Sequence, residues 1–212
     1  CPRARFDEDG RLLNAEEAIG EIVNTAQSTF EGYWNNPEAE AERIRNGAYW
    51  TGDLAYRDDA GFFYFAGRTA DWIRVDGENF AAAPVERVLA RFPGVVLPAV
   101  YGVPDPVAGD RAMAALQLND GVEFDPIAFA EFLAAQSDLG PKWVPTFVRI
   151  ARQLPLTQTN KVLKRELVTQ RWNCADPVWV RDAGVYRPFG AADAEALAAA
   201  FEAHGRSAVI DR

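Results

Sequence analysis

Histidine, cysteine and basic residues are all scarce in this sequence, and each shortage excludes a kind of chemistry. The single histidine is His204, and no G-x-S-x-G segment is present, so a Ser-His-Asp catalytic site is not expected. The two cysteines, Cys1 and Cys174, are far apart, and no group of Cys and His has the spacing of zinc ligands. We therefore expect free thiols in a reducing, cytoplasmic compartment and no metal site within this chain.

Charge and hydropathy exclude two further classes of protein. The sequence has 22 Lys and Arg against 31 Asp and Glu, a formal net charge of −9, and offers no basic stripe to a nucleic acid. No apolar run approaches the roughly 18–20 residues that a membrane-spanning helix needs. Residues 1–10 (CPRARFDEDG) lack the apolar stretch of a signal peptide and resemble the middle of a domain, so we expect a fragment of a longer protein.

Apolar and aromatic residues are plentiful, and their spacing predicts an α+β fold. Hydrophobic residues make up 49% of the chain, with six Trp and thirteen Phe, which is enough for a packed core. The first 66 residues are rich in strand and turn signals, and from Gly67 onward strands and helices alternate. The predicted strands are 18–27, 54–57, 62–66, 95–103, 112–118 and 147–151, and a DDAG turn at 58–61 joins the second and third of them into a hairpin. The predicted helices are a short one within 35–47, with Gly47 after its end, and 84–92, 125–137, 161–172 and 191–203, with Asp125 as an N-cap.

Two polar segments in the first half of the chain have residue types suited to a nucleotide. In residues 49–54 (YWTGDL), Asp53 follows a glycine and could accept two hydrogen bonds from the cis hydroxyls of a ribose. In residues 67–79 (GRTADWIRVDGEN), the Arg68 guanidinium could bind ribose or phosphate oxygens, and Gly77 permits close approach of a ligand to the backbone. Taken singly, the first segment is better explained by an Asp that caps a turn before a hairpin, and the second is equally well explained as a solvated hairpin.

A third polar segment, residues 154–165 (LPLTQTNKVLKR), places Lys161 in a loop before a predicted helix. A lysine there is a mobile positive charge that could stabilise a transition state between a carboxylate and a phosphate. A solvated lysine at the start of a helix is the ordinary alternative. The sequence lacks both glycine-rich phosphate loops, G-x-x-x-x-G-K-[ST] and G-x-G-x-x-G, so it has no phosphate-binding loop of its own.

Taken together and in order, the three segments resemble the C-terminal motif series of the adenylate-forming superfamily, which includes acyl- and aryl-CoA synthetases, peptide-synthetase adenylation domains and luciferases. Residues 32–38 (GYWNNPE) resemble the family's GYxNxPE segment, and residues 139–150 (LGPKWVPTFVRI) resemble the stretch before its last motif. The resemblance spans about residues 18–167. Within the family, the GEN at 77–79 and the DPVW and YRPF of the tail resemble the very-long-chain acyl-CoA synthetase, or fatty acid transport protein, branch.

The resemblance implies a large N-terminal domain that binds ATP, Mg²⁺ and the carboxylate, followed by a small, mobile lid domain with a mixed sheet and flanking helices. Residues 1–66 would be the β-rich end of the large domain, residues 67–170 the lid, and residues 171–212 a C-terminal extension. The implied enzyme is a fatty-acid–CoA ligase, which forms acyl-AMP from a fatty acid and ATP and transfers the acyl group to CoA. This chain would be inactive without its N-terminal domain, and for this branch peripheral membrane association stays open.

The same resemblance implies roles for individual residues. Two positions depart from the family pattern: Ala70 stands where the hinge is often Asp or Lys, and Asn160 replaces a glycine before the lysine. A small residue can still serve as a hinge, and Asn tolerates a left-handed conformation. The implied roles are catalytic for Lys161, ribose binding for Asp53, ribose or phosphate binding for Arg68, nucleoside packing for Phe65, CoA binding for Gly77 and Glu78, and the hinge for Ala70.

Two other functions stay open at this point. A sister adenylating enzyme would transfer its acyl group to the pantetheine of a carrier protein instead of CoA, and the GEN signature with the tail motifs argues for CoA. A non-catalytic binding module would keep the lid fold alone, and the presence of both Lys161 and Asp53 argues against it.

Overall fold

A computed structural model describes residues 1–26, 41 and 43–210 of the chain, which divide into two units, Cys1–Asp71 and Trp72–Arg212. The first unit is arranged around one long strand, because β1, β2 and β4 each pair antiparallel with β3. In chain order its elements are α1 (Ala15–Ala18), β1 (Gly20–Asn24), β2 (Ile44–Arg45), β3 (Ala48–Arg57), β4 (Phe63–Arg68) and a 3-10 turn (Thr69–Asp71).

The β3–β4 hairpin confirms the hairpin predicted around residues 58–61. Asp58 holds its turn: Oδ1 accepts a hydrogen bond from the Phe62 N–H at 2.9 Å, and the backbone carbonyl accepts one from Gly61 at 3.1 Å. The Tyr64 hydroxyl donates to Asp58 Oδ2 at 2.8 Å, and this hydrogen bond lowers the pKa of the Asp58 carboxyl. Tyr64 also stacks on Tyr56 with 5.2 Å between ring centroids, so the turn is fixed to the sheet.

The short helix predicted within residues 35–47 lies largely outside the described residues, but its predicted end is wrong, because Ile44 and Arg45 form strand β2. Asn46 and Gly47 both have positive φ, 53° and 74°, and form a two-residue turn that joins β2 directly to β3. An Asn-Gly pair is among the strongest hairpin signals in a sequence, and here it outweighs the helical spacing before it. The GYWNNPE motif, residues 32–38, also lies outside the described residues, and the predicted strand 18–27 is observed as β1 from Gly20.

The second unit contains a two-stranded hairpin and a five-stranded mixed sheet. The hairpin is β5 (Trp72–Val75) with β6 (Glu78–Ala81). The sheet strands are β7 (Val95–Pro104), β8 (Asp110–Leu118), β9 (Phe147–Ala151), β10 (Val178–Asp182) and β11 (Val185–Pro188), and the helices are α2 (Ala82–Leu89), α3 (Pro126–Ala134), α4 (Lys164–Gln170), α5 (Ala191–Ala203) and α6 (Ser207–Ile210). The strand order is β11-β10-β9-β8-β7; β8 and β9 are parallel and the other neighbours antiparallel, so the predicted mixed sheet with flanking helices is confirmed.

The boundaries of the units differ from the predicted 66/67 and 170/171. Strand β4 continues through Arg68, which is paired with Asp53, so residues 67 and 68 belong to the first unit. At the other end, residues 171–212 are not a separate extension. Strand β10 pairs with β9, and β11 pairs with β10. The tail therefore completes the sheet of the second unit.

The tail also fills the core of the second unit. Phe201 is fully buried and Trp172 nearly so, and the Trp172 ring lies 5.2 Å from that of Phe147 in β9. The Tyr186 hydroxyl donates to the Pro145 carbonyl at 2.6 Å. The conspicuous aromatic residues of the YRPF segment therefore serve packing. The core cluster contains Ala99, Tyr101, Val103, Met113, Ala115, Phe147, Ala151, Leu154, Leu167, Trp172, Val178 and Phe201.

The predicted N-cap at Asp125 is confirmed, with Pro126 at the first helical position of α3. Asp125 Oδ1 accepts hydrogen bonds from the N–H groups of Ile127 and Ala128 at 2.9 and 3.0 Å. Cys1 and Cys174 are free thiols, as predicted. Throughout the described residues, no helix is both long enough and apolar enough to span a membrane.

Replacing Asp125 by Ala is expected to lower the free energy of unfolding by about 1 kcal/mol, because two N–H groups at the start of α3 lose their acceptor. Urea unfolding of the chain measures the loss as a shift of the midpoint. Glu131→Ala is the control, since Glu131 is exposed on the same helix and its loss should change stability by at most about 0.5 kcal/mol. Equal losses in the two variants would contradict the capping role.

Candidate active site

Three residues predicted to bind the nucleotide lie on one face of the β3–β4 hairpin. Asp53 is paired with Arg68, and Ala55, two residues further along β3, is paired with Phe65. Directly paired residues share a face, as do residues two apart on one strand. Asp53, Arg68 and Phe65 therefore share a face, with Phe65 62% exposed.

A β-bulge makes this arrangement possible. Phe65 and Arg68 are three residues apart, and on a regular strand they would point to opposite faces. The register shifts between Leu54 and Ala55, so that one extra residue, Ala66, is inserted into β4. The next residue, Gly67, has φ of 121°, a conformation that other residues rarely adopt. The bulge thus brings the aromatic ring and the guanidinium to the same face as the carboxylate.

The Asp53 carboxylate is fixed by its neighbours in the TGD segment. Its Oδ1 lies 3.2 Å from Arg68 Nε, and its backbone N–H donates to Thr51 Oγ1 at 3.0 Å. The Thr51 hydroxyl donates in turn to the Ile22 carbonyl of β1 at 2.9 Å. Gly52 has φ of 76°, and its N–H donates to Glu21 Oε1 at 2.8 Å. This carboxylate and guanidinium present acceptors and donors together, as the cis hydroxyls of a ribose require.

Lys161 ends a tight loop that Thr157 organises. The Thr157 hydroxyl oxygen accepts a hydrogen bond from the Lys161 N–H at 3.0 Å, and the Thr157 N–H donates to the Lys161 carbonyl at 2.7 Å. Asn160 has φ of 58°, which confirms the expectation that this Asn keeps the loop in a left-handed conformation. Leu156 and Val162 form a β-bridge across the base of the loop. The backbone of Lys161 is therefore well held.

The side chains of the two lysines in this segment have different surroundings. Lys161 is exposed, and its ammonium makes no hydrogen bond or ion pair to any part of the chain that the structure describes. Lys164, at the start of α4, instead places Nζ 2.8 Å from Glu86 Oε1 of α2. Of these two lysines, Lys161 is the one whose ammonium is exposed to solvent, and its catalytic role stays a prediction.

Gly77 lies in the turn of the β5–β6 hairpin. Val75 pairs directly with Glu78, so the turn consists of Asp76 and Gly77 alone. Both have positive φ, 48° and 82°, as a two-residue turn of this hairpin type requires. A Cβ at Gly77 would have nothing within 4 Å, so the turn presents bare backbone to open space.

Glu78, which the resemblance assigns to CoA binding, makes contacts within the second unit. Its Oε1 accepts a hydrogen bond from the Trp143 indole N–H at 2.5 Å, and its Oε2 lies 3.7 Å from Lys142 Nζ. The hinge candidate Ala70 lies in the 3-10 turn immediately before the boundary between the two units. The first unit thus holds Asp53, Arg68 and Phe65, and the second holds Gly77, Glu78 and Lys161. In the described ranges, no group of three or more His, Cys, Asp and Glu could hold a metal ion.

A family model for the C-terminal domain of AMP-binding enzymes matches residues 84–161. The match begins in α2, spans β7, β8, α3 and β9, and ends on Lys161 itself. Residues 84–161 therefore belong to the family of C-terminal domains of AMP-binding enzymes. This AMP-binding C-terminal domain is the unit whose mixed sheet and lysine loop are described above.

Curated relatives extend the likeness beyond the matched domain. Steroid-22-oyl-CoA synthetase of Rhodococcus jostii is 56% identical over 208 residues, which cover 96% of this chain and 38% of the relative. The medium/long-chain-fatty-acid–CoA ligase FadD17 of Mycobacterium marinum is 57% identical over 167 residues, covering 78% of this chain and 33% of the relative. This chain therefore spans little more than a third of these relatives.

Solved structures of adenylate-forming enzymes share the fold. The amide bond synthetase McbA of Marinactinospora thermotolerans matches with a TM-score of 0.63 and 32% identity, over 80% of this chain and 34% of that one. ATP-bound MatB of Rhodopseudomonas palustris matches with a TM-score of 0.63 and 30% identity, over 78% of this chain and 33% of that one. These matches confirm the predicted family and fold class. The very-long-chain branch stays a prediction, since the relatives above are named for a steroid acid and for medium and long chains.

Several residues that shape the site were not identified from the sequence. The bulge at Ala66 is not visible in the pattern FYFAGR, although the glycine after it is a weak signal of one. Thr157 is a weak signal in the sequence, because a Thr hydroxyl often accepts a hydrogen bond from the N–H two residues on, as it does here from Thr159 at 3.3 Å. Lys142 and Trp143 were noted only within a motif, because their partner Glu78 lies 65 residues away from Trp143.

Proposed function

We propose that this chain is the C-terminal third of an AMP-forming acyl-CoA synthetase that activates a fatty acid or a similarly apolar carboxylic acid. The observation that carries the proposal is the exposed ammonium of Lys161 on a loop held by Thr157. The relatives are named as CoA ligases of a steroid acid and of medium and long fatty acids, which supports both the class of acid and CoA as the acceptor.

In the first half-reaction, a carboxylate oxygen of the acid attacks the α-phosphorus of ATP, and pyrophosphate leaves. Negative charge then crowds around the carboxylate and the phosphate in a site with little water. Lys161 places its ammonium between the two groups and stabilises this charge in the transition state. Its backbone is held in advance by Thr157, so little reorganisation is needed when the substrates bind.

The first unit contributes to binding of the adenosine part. Asp53 accepts hydrogen bonds from the ribose hydroxyls, Arg68 binds the ribose or the phosphate, and Phe65 packs against the nucleoside. The shared face of these three residues supports this assignment, since a single nucleotide can contact all of them.

In the second half-reaction, the thiol sulfur of CoA attacks the acyl carbonyl, AMP leaves, and a thioester forms. The lysine must then withdraw, and the pantetheine must reach the acyl-AMP by a narrow path. We assign this path to the Gly77 turn, which presents backbone without a side chain. Ala70 lies next to the unit boundary. Rotation about this residue replaces the arrangement with Lys161 at the substrates by the arrangement with the Gly77 turn there.

The remaining parts of the enzyme lie outside this chain. We assign the Mg²⁺ that accompanies ATP to the N-terminal domain, as the resemblance implies; among the described residues there is no group of three or more His, Cys, Asp and Glu that could hold a metal ion. The phosphate loop and the acyl pocket belong to the same domain. Transfer to a carrier protein and a non-catalytic role are the two alternatives, and the names of the relatives favour neither.

The full-length enzyme tests this proposal with a panel of medium-chain, long-chain and steroid side-chain acids. We expect acid-dependent exchange of pyrophosphate into ATP and formation of the CoA thioester. The isolated chain of 212 residues is the control and should show neither activity, because it lacks the phosphate loop. Exchange without thioester formation from CoA, but with loading of a pantetheinylated carrier protein, would favour the first alternative.

A further inference from the structure

Glu78 lies one residue after the Gly77 turn and joins it to a loop far along the chain. That loop, residues 140–143 (GPKW), brings two donors to the Glu78 carboxylate. The Trp143 indole N–H donates to Oε1 at 2.5 Å, and the Lys142 ammonium lies 3.7 Å from Oε2. A hydrogen bond to a charged acceptor at a partly buried position is stronger than one between neutral groups.

Lys142 holds the turn from its other side. Its ammonium donates to the backbone carbonyl of Asp76, the first turn residue, at 3.2 Å. The same ammonium therefore contacts Asp76 and Glu78, the residues on either side of Gly77. The turn is thus fixed on both sides of the residue that we place on the CoA path.

The indole itself is locked in place. Trp143 is 3% exposed and stacks on Phe80 of β6 with 5.3 Å between centroids and 18° between planes. Glu78 and Phe80 are two residues apart on one strand, so their side chains lie on the same face of it. Glu78 accepts the hydrogen bond of the indole N–H, and Phe80 stacks on the face of the indole. A Cβ at Gly140 would lie 3.1 Å from the indole, so a glycine there allows the loop to close over the ring.

We infer that Glu78 is a positioning residue, which holds the Gly77 turn in its productive geometry through Trp143 and Lys142 and does not itself contact CoA. The expected effect of Glu78 on catalysis rests on the proposed function, in which the Gly77 turn lies on the CoA path. The contacts among Glu78, Lys142 and Trp143, which we call the clamp, do not depend on the proposed function. A misplaced turn would slow thioester formation, because small displacements of positioning groups have large effects on rate.

Variants of the full-length enzyme test the inference in the thioester half-reaction. Glu78→Ala should lower the turnover of supplied acyl-AMP with CoA about tenfold, with the KM for CoA unchanged and the adenylation rate preserved. Glu78→Gln keeps an oxygen acceptor for the indole and should recover most of the rate. Trp143→Phe keeps an aromatic ring beside Phe80, removes the N–H donor together with part of the indole volume, and should reproduce the effect of Glu78→Ala.

A double-mutant cycle separates positioning from direct binding. If Glu78 acts through Trp143, the variant with both Glu78→Ala and Trp143→Phe should be no slower than either single variant. Asp193→Ala is the matched control, because Asp193 is a similarly exposed carboxylate that pairs with Arg187 at 2.8 Å elsewhere in the same unit. It should leave the thioester rate unchanged. Multiplying effects in the double variant, or a raised KM for CoA in Glu78→Gln, would overturn the inference.

Hydrogen exchange of the β5–β6 peptide distinguishes this inference from the proposed function. Faster exchange in Glu78→Ala and Trp143→Phe, but not in Asp193→Ala, supports the clamp even if the wild-type enzyme makes no acyl-CoA. In that case the proposed function fails and the clamp stands. If the wild type makes acyl-CoA and Glu78→Ala changes neither the exchange nor the thioester rate, the clamp is refuted and the proposed function stands.

Discussion

Lys161→Ala in the full-length enzyme is expected to slow adenylation by about 10²–10³-fold, as the loss of a preorganised group that stabilises transition-state charge typically does. The variant removes an exposed ammonium and leaves the hydrogen bonds of the loop in place, since these bonds use the backbone of Lys161. Thioester formation from supplied acyl-AMP should stay near the wild-type rate, because in that step the lysine has withdrawn. Acid-dependent pyrophosphate exchange and the supplied-adenylate assay measure the two steps separately.

Lys164→Ala is the matched control for this variant. It removes a second lysine three residues away, but that ammonium is paired with Glu86 at 2.8 Å and is not available to a substrate. We expect adenylation by Lys164→Ala within a few-fold of wild type, with a small loss of stability. A comparable loss of adenylation in both variants would mean that the effect arises from damage to the loop.

Gly77→Asn is expected to slow thioester formation by about 10²-fold while leaving adenylation unchanged. Asn is chosen because it accepts the positive φ of 82° with less strain than other side chains, so that the hairpin should keep its shape. Its side chain would project into the open space beside the turn, where we place the pantetheine. The rate with supplied acyl-AMP and CoA is the measurement.

Gly184→Asn is the control that separates obstruction from strain. Gly184 lies in the two-residue turn between β10 and β11, has φ of 91°, and likewise has nothing within 4 Å of its missing Cβ. The two substitutions should therefore carry a similar cost in backbone strain. If Gly184→Asn slows thioester formation as much as Gly77→Asn does, obstruction of the CoA path is not the cause.

Local signals in the sequence were sufficient for much of the fold. Asp125 followed by Pro126 predicted the start of α3, and the DDAG turn predicted the β3–β4 hairpin, because both depend on neighbouring residues only. The role of Lys161 is predicted from the motif series alone, and the ion pair of the neighbouring Lys164 with Glu86 is not visible in the sequence. Such a pair joins residues 78 positions apart, and periodicity in one segment carries no information about it.

Several features depend on contacts between residues far apart in the chain, and these contacts are not visible in the sequence. The resemblance of its DPVW and YRPF segments to one branch of the family predicts that the tail is an extension, yet Val178 and Phe201 are buried in the common core. Likewise, the sequence around Glu78 carries no sign of its hydrogen bond with Trp143, which lies 65 residues away. The common face of Phe65 and Arg68 depends on a bulge, which shifts the alternation by one residue.

The central claim is that one domain serves two half-reactions through two different surfaces, the Lys161 loop and the Gly77 turn. The most direct test is the ratio of the adenylation rate to the thioester rate, measured in wild type, Lys161→Ala and Gly77→Asn under the same conditions. We predict that the ratio falls by about 10²-fold or more in Lys161→Ala and rises by about 10²-fold in Gly77→Asn. A ratio that stays at the wild-type value in both variants, or moves the same way in both, would contradict the claim.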